Sequence, residues 1–319
     1  MKAVRYHSYG DSDVLAYEDA PRPVPAPGEV LIEVAATSFN PVDAGIRGGY
    51  LAQVYTVRFP HIPGVDVSGT IAEIGEGVQG WNVGDAVVAF LPLDADGAAA
   101  EYAIAPAESL AAAPTSIPLA DAAALPEAAL TAWQALFEIA ELTGGQSVLI
   151  NGAAGAVGGY AIQLAKQAGA VVTATARIRD ADRLRDYGAD RIVDYIDYTQ
   201  SPVVVEGAPF DVVLNLVPTT DEQTDALIGL VTDGGFHVGT MVFGPEKPER
   251  QVRSQRVFVR SDAAQLAGLV RRVDDGQLRV EVVNRRPLAE AAAVHADSDA
   301  GRLHGKTILV APGNALRRP

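Results

Sequence analysis

The residues best suited to chemistry form a glycine-rich turn at 151–159, with the sequence Asn-Gly-Ala-Ala-Gly-Ala-Val-Gly-Gly. Gly155 and Gly158 fit the last two glycines of a dinucleotide-binding fingerprint, and Ala153 replaces the first. Gly155 lets the backbone approach a pyrophosphate, which the N–H groups and positive end of the following helix would hold. A ligand-free tight turn is the alternative. Because an apolar strand precedes the turn and an apolar helix follows it, we predict a dinucleotide site at Ala153, Ala154, Gly155, Ala156, Val157 and Gly158.

The end of the next strand predicts which dinucleotide this turn binds. Proteins that bind NAD usually carry a carboxylate there, about 20 residues on, which holds the ribose hydroxyls. Here strand 170–175 ends at Thr175 without an acid and continues into Arg177-Ile178-Arg179. Guanidinium groups suit the 2′-phosphate of NADPH. The alternative is a solvated helix start in which nearby aspartates neutralise the arginines, but the missing acid favours NADPH.

Composition disfavours several other classes of protein. The 319 residues carry a net charge of −15 and include no cysteine. An acidic surface disfavours nucleic acid and anionic membranes as partners, and without cysteine there is no disulfide, thiolate metal site or cysteine nucleophile. The five histidines show no spacing typical of a ligand pair, so we expect no metal site. Since the sequence shows neither a signal peptide nor a long apolar run, we expect a cytoplasmic protein.

The elements that must position the turn fall into two blocks. Up to about residue 120 the chain has short strands between Gly and Pro turns, typical of a small β-barrel or sandwich. From 121 to 274 strands alternate with helices, which predicts a doubly wound parallel sheet. Strand-like sequence returns at 278–284 and 307–310. We therefore assign 1–120 and 275–319 to one domain, and 121–274 to a Rossmann dinucleotide-binding domain.

Several further motifs occur along nearly the whole chain in a characteristic order. They include Ser38-Phe39-Asn40-Pro41-Val42-Asp43, Ile46-Arg47-Gly48-Gly49, Ile62-Pro63-Gly64-Val65-Asp66-Val67-Ser68-Gly69, Gly84-Asp85-Ala86-Val87, Leu130-Thr131-Ala132-Trp133 and Tyr187-Gly188-Ala189-Asp190. In this order, together with the glycine-rich turn, they resemble the zinc-independent medium-chain dehydrogenase/reductase superfamily, particularly its quinone oxidoreductase branch. The resemblance implies an α/β protein with a GroES-like β-barrel domain and a Rossmann domain.

The resemblance also indicates which chemistry is missing. Zinc-dependent relatives bind their catalytic metal with a cysteine near position 38 and a Gly-His-Glu near position 64. This chain has Ser38 and Gly64-Val65-Asp66 instead. Without a Lewis acid to polarise an alcohol or simple ketone, acceptors already activated by conjugation are favoured. Hydride from the nicotinamide would add to a quinone or an α,β-unsaturated carbonyl, and hydrogen-bond donors would stabilise the anion that develops.

The candidate catalytic residues come from the resemblance, because spacing shows no acid–base pair. Asn40 resembles an asparagine near the nicotinamide, Asp43 lies in the same motif, and Thr131 resembles a threonine whose hydroxyl faces the cofactor. Tyr50 is a further candidate that would donate a proton or a hydrogen bond. Each has a structural alternative: pairing within the Asn-Pro turn for Asn40, a helix cap for Asp43, a bond to its own helix for Thr131, and packing for Tyr50.

Further cofactor contacts are expected at the carboxyl edge of the parallel sheet, where ligands bind in this fold. Tyr195 resembles a tyrosine that reaches the adenosine phosphate. Asp180 stands where many relatives carry a lysine, which transfers the phosphate contact to Arg177 and Arg179. Asn215 ends a strand at the same edge, with a simple strand-end cap as its alternative role. The segment after the following strand should pass the nicotinamide with Gly239, Thr240, Met241 and Phe243.

The sequence therefore predicts an NADPH-dependent, zinc-independent reductase of quinones or enones. Two alternatives stay open: an enoyl reductase that tailors a secondary metabolite, and a protein that binds or senses NADPH without turnover. Relatives commonly form homodimers through the edge of the Rossmann sheet, so we expect a homodimer and place its edge strand at 256–259. Loops 51–59 and 244–253 are expected to line the acceptor pocket, but they do not identify the acceptor.

Overall fold

The computed structural model describes residues 1–313, which form two compact units. The first unit comprises Met1–Glu127 and the described residues from Ser261 onward, and the second is Ala128–Arg260. The strands are β1 (Lys2–Arg5), β2 (Ala16–Asp19), β3 (Glu29–Ser38), β4 (Asp66–Ile74), β5 (Ala86–Phe90), β6 (Tyr102–Pro106), β7 (Leu110–Ala112), β8 (Ser147–Asn151), β9 (Val171–Thr175), β10 (Arg191–Val193), β11 (Phe210–Asn215), β12 (Val231–Gly239), β13 (Arg253–Arg256), β14 (Asn284–Pro287) and β15 (Thr307–Val310). The α-helices are α1 (Pro41–Arg47), α2 (Pro126–Trp133), α3 (Ala156–Gln167), α4 (Ala181–Asp186), α5 (Asp221–Gly229), α6 (Ala263–Asp274) and α7 (Ala291–Asp299).

A largely antiparallel sheet forms the first unit, with strand order β14-β15-β3-β4-β5-β7 and β6 also paired to β3. Alternate residues of β3, namely Val30, Ile32 and Val34, enter one apolar core with residues of β4 and β5. This period of two is what a strand with one face on a core requires. The long strand β3 therefore organises the unit, because it pairs with β4, β6 and β15.

A six-stranded parallel sheet forms the second unit, in the order β10-β9-β8-β11-β12-β13. Numbered from β8, this is the order 3-2-1-4-5-6 of a doubly wound dinucleotide-binding sheet. Strand order reverses between β8 and β11, so the carboxyl ends of these two strands meet at the topological switch point. The α/β fold with a doubly wound parallel sheet is confirmed.

The unit boundaries differ from those expected at 120 and 275. Helix α6 belongs to the first unit, because it packs against β7 and Asp274 accepts the backbone N–H groups of Thr115 and Ser116 at 2.8 and 2.9 Å. The predicted strand at 278–284 is replaced by β14. Leu278 instead lies beyond the end of α6, and its N–H is bonded to the carbonyl of Arg272 in the last turn of that helix. Residues 314–319, which the sequence assigns to the first domain, lie outside the described residues.

The edge strand of the parallel sheet is β13, at Arg253–Arg256, rather than the apolar stretch 256–259 that we expected. Pairing with β12 ends at Gly239 and Arg256, and beyond it only the N–H of Val257 reaches the carbonyl of Gly239. The four residues of β13, Arg-Ser-Gln-Arg, are all polar and give no strand signal in the sequence, and charged side chains are common on edge strands. No helix among residues 1–313 is both long and apolar enough to cross a bilayer.

A buried arginine joins α1 to α7 within the first unit. The guanidinium of Arg47 donates from Nε to the carbonyl of Gly10 (3.2 Å), from Nη1 to Nδ1 of His295 (3.0 Å) and from Nη2 to Asp299 (2.8 Å). Because a guanidinium only donates, Nδ1 of His295 accepts and the ring carries its proton on Nε2. Burial, and secondarily the adjacent Arg47, lower the pKa of His295 to about 3.

Acid should weaken the protein through His295. Its pKa is lower in the folded protein than its usual 6.5, so the unfolded chain binds one more proton between those values. The free energy of unfolding then falls by about 1.4 kcal/mol per pH unit as the pH drops below about 6. His295→Gln, whose amide oxygen still accepts from Arg47, should lose this component, as measured by urea unfolding from pH 7 to 4.

His304→Gln is the matched control for this measurement, because His304 is exposed in the same unit. Its unfolding free energy should follow the wild-type pH dependence. Identical pH dependence in His295→Gln and wild type would contradict the assignment of a buried neutral ring.

Candidate functional site

The glycine-rich turn connects β8 to α3 and uses three glycines in different ways. Gly152 has a φ of +87°, and a Cβ there would lie 2.6 Å from Cγ1 of Val217. The glycine of the tight turn is thus Gly152. It lies one residue before Ala153, which occupies the position of the first glycine in the fingerprint. A Cβ at Gly158 would lie 2.5 Å from the carbonyl oxygen of Ala153, so helix α3 packs on the backbone of the turn that precedes it at a distance that excludes any side chain.

Gly155, the N-cap of α3, leaves one side of the turn open. A Cβ at this position would meet no atom closer than the Gly152 carbonyl oxygen at 3.6 Å, and Gly155 itself is exposed. The first turn of α3 contains no acidic side chain, and its N–H groups have no acceptor within the helix. An open approach to unpaired donors at a helix N-terminus fits the pyrophosphate of a dinucleotide. Ala153 is fully buried and so serves packing.

Three polar side chains at the carboxyl ends of neighbouring strands bond to one another. Thr175 accepts the N–H of Gly152 and donates its hydroxyl to Oδ1 of Asn151, both at 2.9 Å. Nδ2 of Asn151 donates to Oδ1 of Asn215, also at 2.9 Å. The three side chains are at most 5% exposed. Thr175 and Asn215, both predicted to bind the cofactor, thus use their polar atoms to hold the loops that follow β8, β9 and β11.

Asn151 was not among the predicted site residues, although its position gave a signal. It is the last residue of an apolar strand and immediately precedes the glycine-rich turn. A buried amide at that point must find partners within the protein, because an unsatisfied buried polar group costs about 1–3 kcal/mol.

A cluster of arginines follows β9, and the charges around it differ from one arginine to the next. Asp180 pairs with Arg183 at 3.1 Å and lies 3.6 Å from Arg179. Arg183 also donates to the carbonyl of Ala154 at 3.1 Å, which braces the glycine-rich turn. The guanidinium of Arg177 instead lies 5.3 Å from the ring centre of Tyr195, within cation–π distance. Arg177, Arg179 and Tyr195 are all exposed.

The segment after β12 is fastened to the same edge of the sheet. The N–H of Thr240 donates to the carbonyl oxygen of Asn215 at 3.1 Å, so this segment begins beside the end of β11. Met241 and Phe243 are 50% and 62% exposed. Gly239 allows the chain to fold back, since a Cβ there would lie 2.6 Å from the carbonyl oxygen of Val242. The segment therefore presents apolar side chains next to the switch point.

A second polar cluster lies in the first unit around Asn40. Its Nδ2 donates to Asp66 at 2.8 Å, and its Oδ1 accepts from the ammonium of Lys306. Lys306 also lies 3.4 Å from the Asp66 carboxylate, which accepts the hydroxyl of Ser38 as well. All four side chains are at most 5% exposed. Lys306 and Asp66, neither of which was among the predicted site residues, thus fix the orientation of the Asn40 amide.

Asp43 forms a capping box with Asn40 at the start of α1. One carboxylate oxygen accepts the N–H of Asn40 at 2.9 Å, and the other accepts the N–H groups of Gly64 and Val65 at 3.0 and 3.3 Å. Burial, with the Asp66 carboxylate adding to it, raises the pKa of Asp43 to about 7. These contacts join the start of α1 to the turn before β4.

The four candidate catalytic residues fall into three surroundings. Asn40 and Asp43 lie together in the buried cluster just described. Tyr50 is 84% exposed in the same unit, after Gly48. Thr131 is buried within α2 and belongs to the second unit.

The residues at the position of the catalytic zinc in the metal-dependent relatives do not fit a metal. Ser38 already donates its hydroxyl to Asp66, Val65 has no donor atom, and the Lys306 ammonium lies 3.4 Å from the Asp66 carboxylate. An ammonium group at that distance repels a dication. Within residues 1–313 no group of three or more His, Cys, Asp or Glu side chains is arranged to hold a metal ion.

Comparison with known proteins links both units to dehydrogenases. Residues 26–115 match the alcohol dehydrogenase GroES-like domain, and residues 187–309 match the zinc-binding dehydrogenase domain. The chloroplast envelope quinone oxidoreductase homolog of Arabidopsis thaliana is 35% identical over 97% of this chain and 98% of its own. The quinone oxidoreductase of Coxiella burnetii superposes with a TM-score of 0.86 at 30% identity, over 97% of this chain and 99% of its own. A mycobacterial protein solved with NADPH superposes with a TM-score of 0.84 at 28% identity, over 97% of this chain and all of its own (100%).

Removing one partner from the buried Asp66–Lys306 pair should be costly. Lys306→Met leaves the carboxylate of Asp66 uncompensated, and we expect the free energy of unfolding to fall by about 3–5 kcal/mol. The double variant Lys306→Met with Asp66→Asn removes the stranded charge and should recover part of this loss. Denaturant unfolding at pH 7 measures both.

The exposed pair Lys2–Asp19 supplies the control, since its side chains are 44% and 82% exposed. Lys2→Met should change the unfolding free energy by less than about 1 kcal/mol. If the unfolding free energy of Lys306→Met fell as little as that of Lys2→Met, the buried-pair assignment would be contradicted.

Proposed function

The chain belongs to the quinone oxidoreductase branch of the medium-chain dehydrogenase/reductase superfamily, and we propose that it is an NADPH-dependent reductase of a quinone or an enone. The glycine-rich turn carries this proposal, because it presents an open helix N-terminus at the switch point of a parallel sheet, and arginines follow the neighbouring strand β9. Relatives named quinone oxidoreductase support the acceptor class. The neighbour solved with NADPH supports the cofactor.

Charge pairing at the end of β9 supports a preference for NADPH over NADH. The last three residues of the strand, Thr173-Ala174-Thr175, and the Ala176 that follows them include no carboxylate for the ribose hydroxyls. Asp180 is shared by Arg179 and Arg183. Arg177 makes no ion pair with another described residue, and its guanidinium rests on the ring of Tyr195. A braced, uncompensated guanidinium suits a 2′-phosphate.

In the proposed reaction the protein mainly positions its two reactants. The nicotinamide, when bound, supplies a hydride, and the acceptor also gains one proton. The first turn of α3 holds the pyrophosphate, Arg177 and Tyr195 hold the adenosine end, and the segment from Gly239 to Phe243 limits the nicotinamide end. Since the side-chain polar atoms of Asn40 already have partners in the first unit, the exposed hydroxyl of Tyr50 or water is the proposed proton donor.

Acceptors activated by conjugation suit a centre without a metal. The donor set around Ser38 does not fit zinc, so a developing oxyanion would be stabilised by hydrogen-bond donors. A quinone gains a hydride and a proton to become a hydroquinone, and an enone becomes a saturated ketone. We propose the cytoplasm as its compartment and a homodimer formed through β13 as its assembly, and both stay predictions.

The acceptor class is tested by NADPH oxidation at 340 nm against benzoquinones, naphthoquinones, linear enones and enoyl thioesters. We expect turnover with quinones or enones, and slower reaction with simple ketones. Faster reaction with enoyl thioesters would favour the alternative enoyl reductase. Tight NADPH binding without turnover on any acceptor would indicate a binding or sensing protein.

The cofactor preference is tested with Arg177→Gln. Loss of charge-assisted bonds to the 2′-phosphate, each worth about 1.5–3 kcal/mol, should raise the Kd for NADPH about ten- to hundredfold and leave the Kd for NADH within about twofold. Arg179→Gln is the matched control, because Arg179 already faces Asp180. Equal weakening of both cofactors in Arg177→Gln, or tighter NADH binding by the wild type, would overturn the preference.

A further inference from the structure

A chain of hydrogen bonds crosses the second unit from the glycine-rich turn to the start of α5, and we infer that it presets the turn for the dinucleotide. The inference rests on the proposed function. It makes Thr175, Asn151 and Asn215 positioning residues, which act on the cofactor through the backbone of the turn.

The chain of hydrogen bonds begins at the N–H of Gly152 and continues through Thr175 and Asn151 to Asn215. Nδ2 of Asn215 then donates to the hydroxyl of Thr219 at 3.1 Å, and to the carbonyl of Val217 at the same distance. The hydroxyls of Thr219 and Thr224 lie 2.8 Å apart, and Thr224 donates to the carbonyl oxygen of Thr220, the N-cap of α5, at 2.9 Å.

Both ends of the chain fix its direction. A backbone N–H can only donate, so the hydroxyl of Thr175 accepts from Gly152 and donates onward to Asn151. A carbonyl can only accept, so Thr224 donates to Thr220 and the hydroxyl of Thr219 must donate to Thr224. The amides of Asn151 and Asn215 between these ends have one consistent orientation each. A network with one arrangement of donors holds its loops more rigidly than one with several.

The turn needs this support because its conformation is strained for most residues and closely packed. Gly152 lies at positive φ, and its Cα approaches Val217, which itself follows Asn215. The network therefore fastens the glycine-rich turn and the loop after β11 to each other. In this arrangement the N–H groups at the start of α3 point to the open side before the cofactor arrives, so binding does not have to order them.

Strand β9 contains two threonines that can be compared as a matched pair. Thr175 and Thr173 are 0% and 1% exposed and lie two residues apart on the same strand, but Oγ1 of Thr173 has no hydrogen-bond partner among the described residues. Replacing either with valine preserves the shape of the side chain and removes one hydroxyl. Only Thr175→Val breaks the network.

The first measurement uses the protein without cofactor. Hydrogen exchange read by mass spectrometry should show peptides covering 152–158 exchanging about tenfold faster in Thr175→Val than in wild type, because the Gly152 N–H loses its acceptor. Thr173→Val should match the wild type. Thr175→Ser, which keeps the hydroxyl, should restore protection. Unchanged exchange of these peptides in Thr175→Val would overturn the inference.

The second measurement is cofactor affinity by titration of the three variants. Thr175→Val should raise the Kd for NADPH about tenfold, while Thr175→Ser and Thr173→Val stay within about twofold of wild type. A lowered Tm in Thr175→Val with unchanged Kd would show a purely structural network and overturn the inference. If Thr175→Val does not fold, Thr219→Val is the second variant. It breaks the network away from the turn and should also raise the Kd for NADPH.

The two proposals fail in distinguishable ways. If wild-type protein binds neither NADPH nor NADH, the proposed function is wrong, and the exchange measurement still decides whether the network holds the turn. If wild type binds the cofactor and Thr175→Val binds it equally well, the positioning role is wrong and the proposed function stands.

Discussion

The close contact between α3 and the turn that follows β8 is the constraint on which the dinucleotide-binding unit depends. At Gly158 the helix approaches the backbone of the turn that follows β8 so closely that a single added carbon would collide with the Ala153 carbonyl. This distance brings the N-terminus of α3 to the carboxyl end of β8, beside the point where strand order reverses. The positive end of the helix dipole and its unpaired N–H groups then face an open space rather than the core. An anion is the natural occupant of such a space.

The protein secures this geometry with polar groups that do not themselves face the open side. Thr175, Asn151 and Asn215 satisfy one another and the Gly152 N–H beneath the turn, and Arg183 braces the Ala154 carbonyl. Buried polar groups are costly when unpaired, so a network in which each has its partner favours one loop arrangement over others. Residues whose position in the sequence resembles that of cofactor ligands can therefore instead support the backbone of the turn.

The first unit follows the same rule with charges. The Lys306 ammonium and Asp66 carboxylate are buried together, and Ser38 and Asn40 complete their hydrogen bonds. The charges of Lys306 and Asp66 compensate each other within this cluster. Because the Lys306 ammonium lies between the Asn40 amide and the Asp66 carboxylate, the cluster has no free set of ligand atoms for a divalent metal. The proposed conjugated acceptors are consistent with this cluster, because they need no Lewis acid.

Local sequence determined the elements and the chemistry of the turn. Periodicity in the alternating strands and helices predicted the parallel sheet, and Gly155 and Gly158 predicted the helix N-terminus, because these signals depend on neighbouring residues only. Tertiary structure decided which polar residues meet. Lys306 and Asp66 are 240 residues apart, and no local pattern relates them. Similarly, Arg177 and Arg179 differ because Asp180 lies near only the second of them, and no motif in the sequence shows this. The polar strand β13 is recognisable only by its pairing with β12. Burial and pairing between distant segments set the hydrogen-bond partner of each polar atom, so the sequence could propose candidate site residues but only the fold could give their partners.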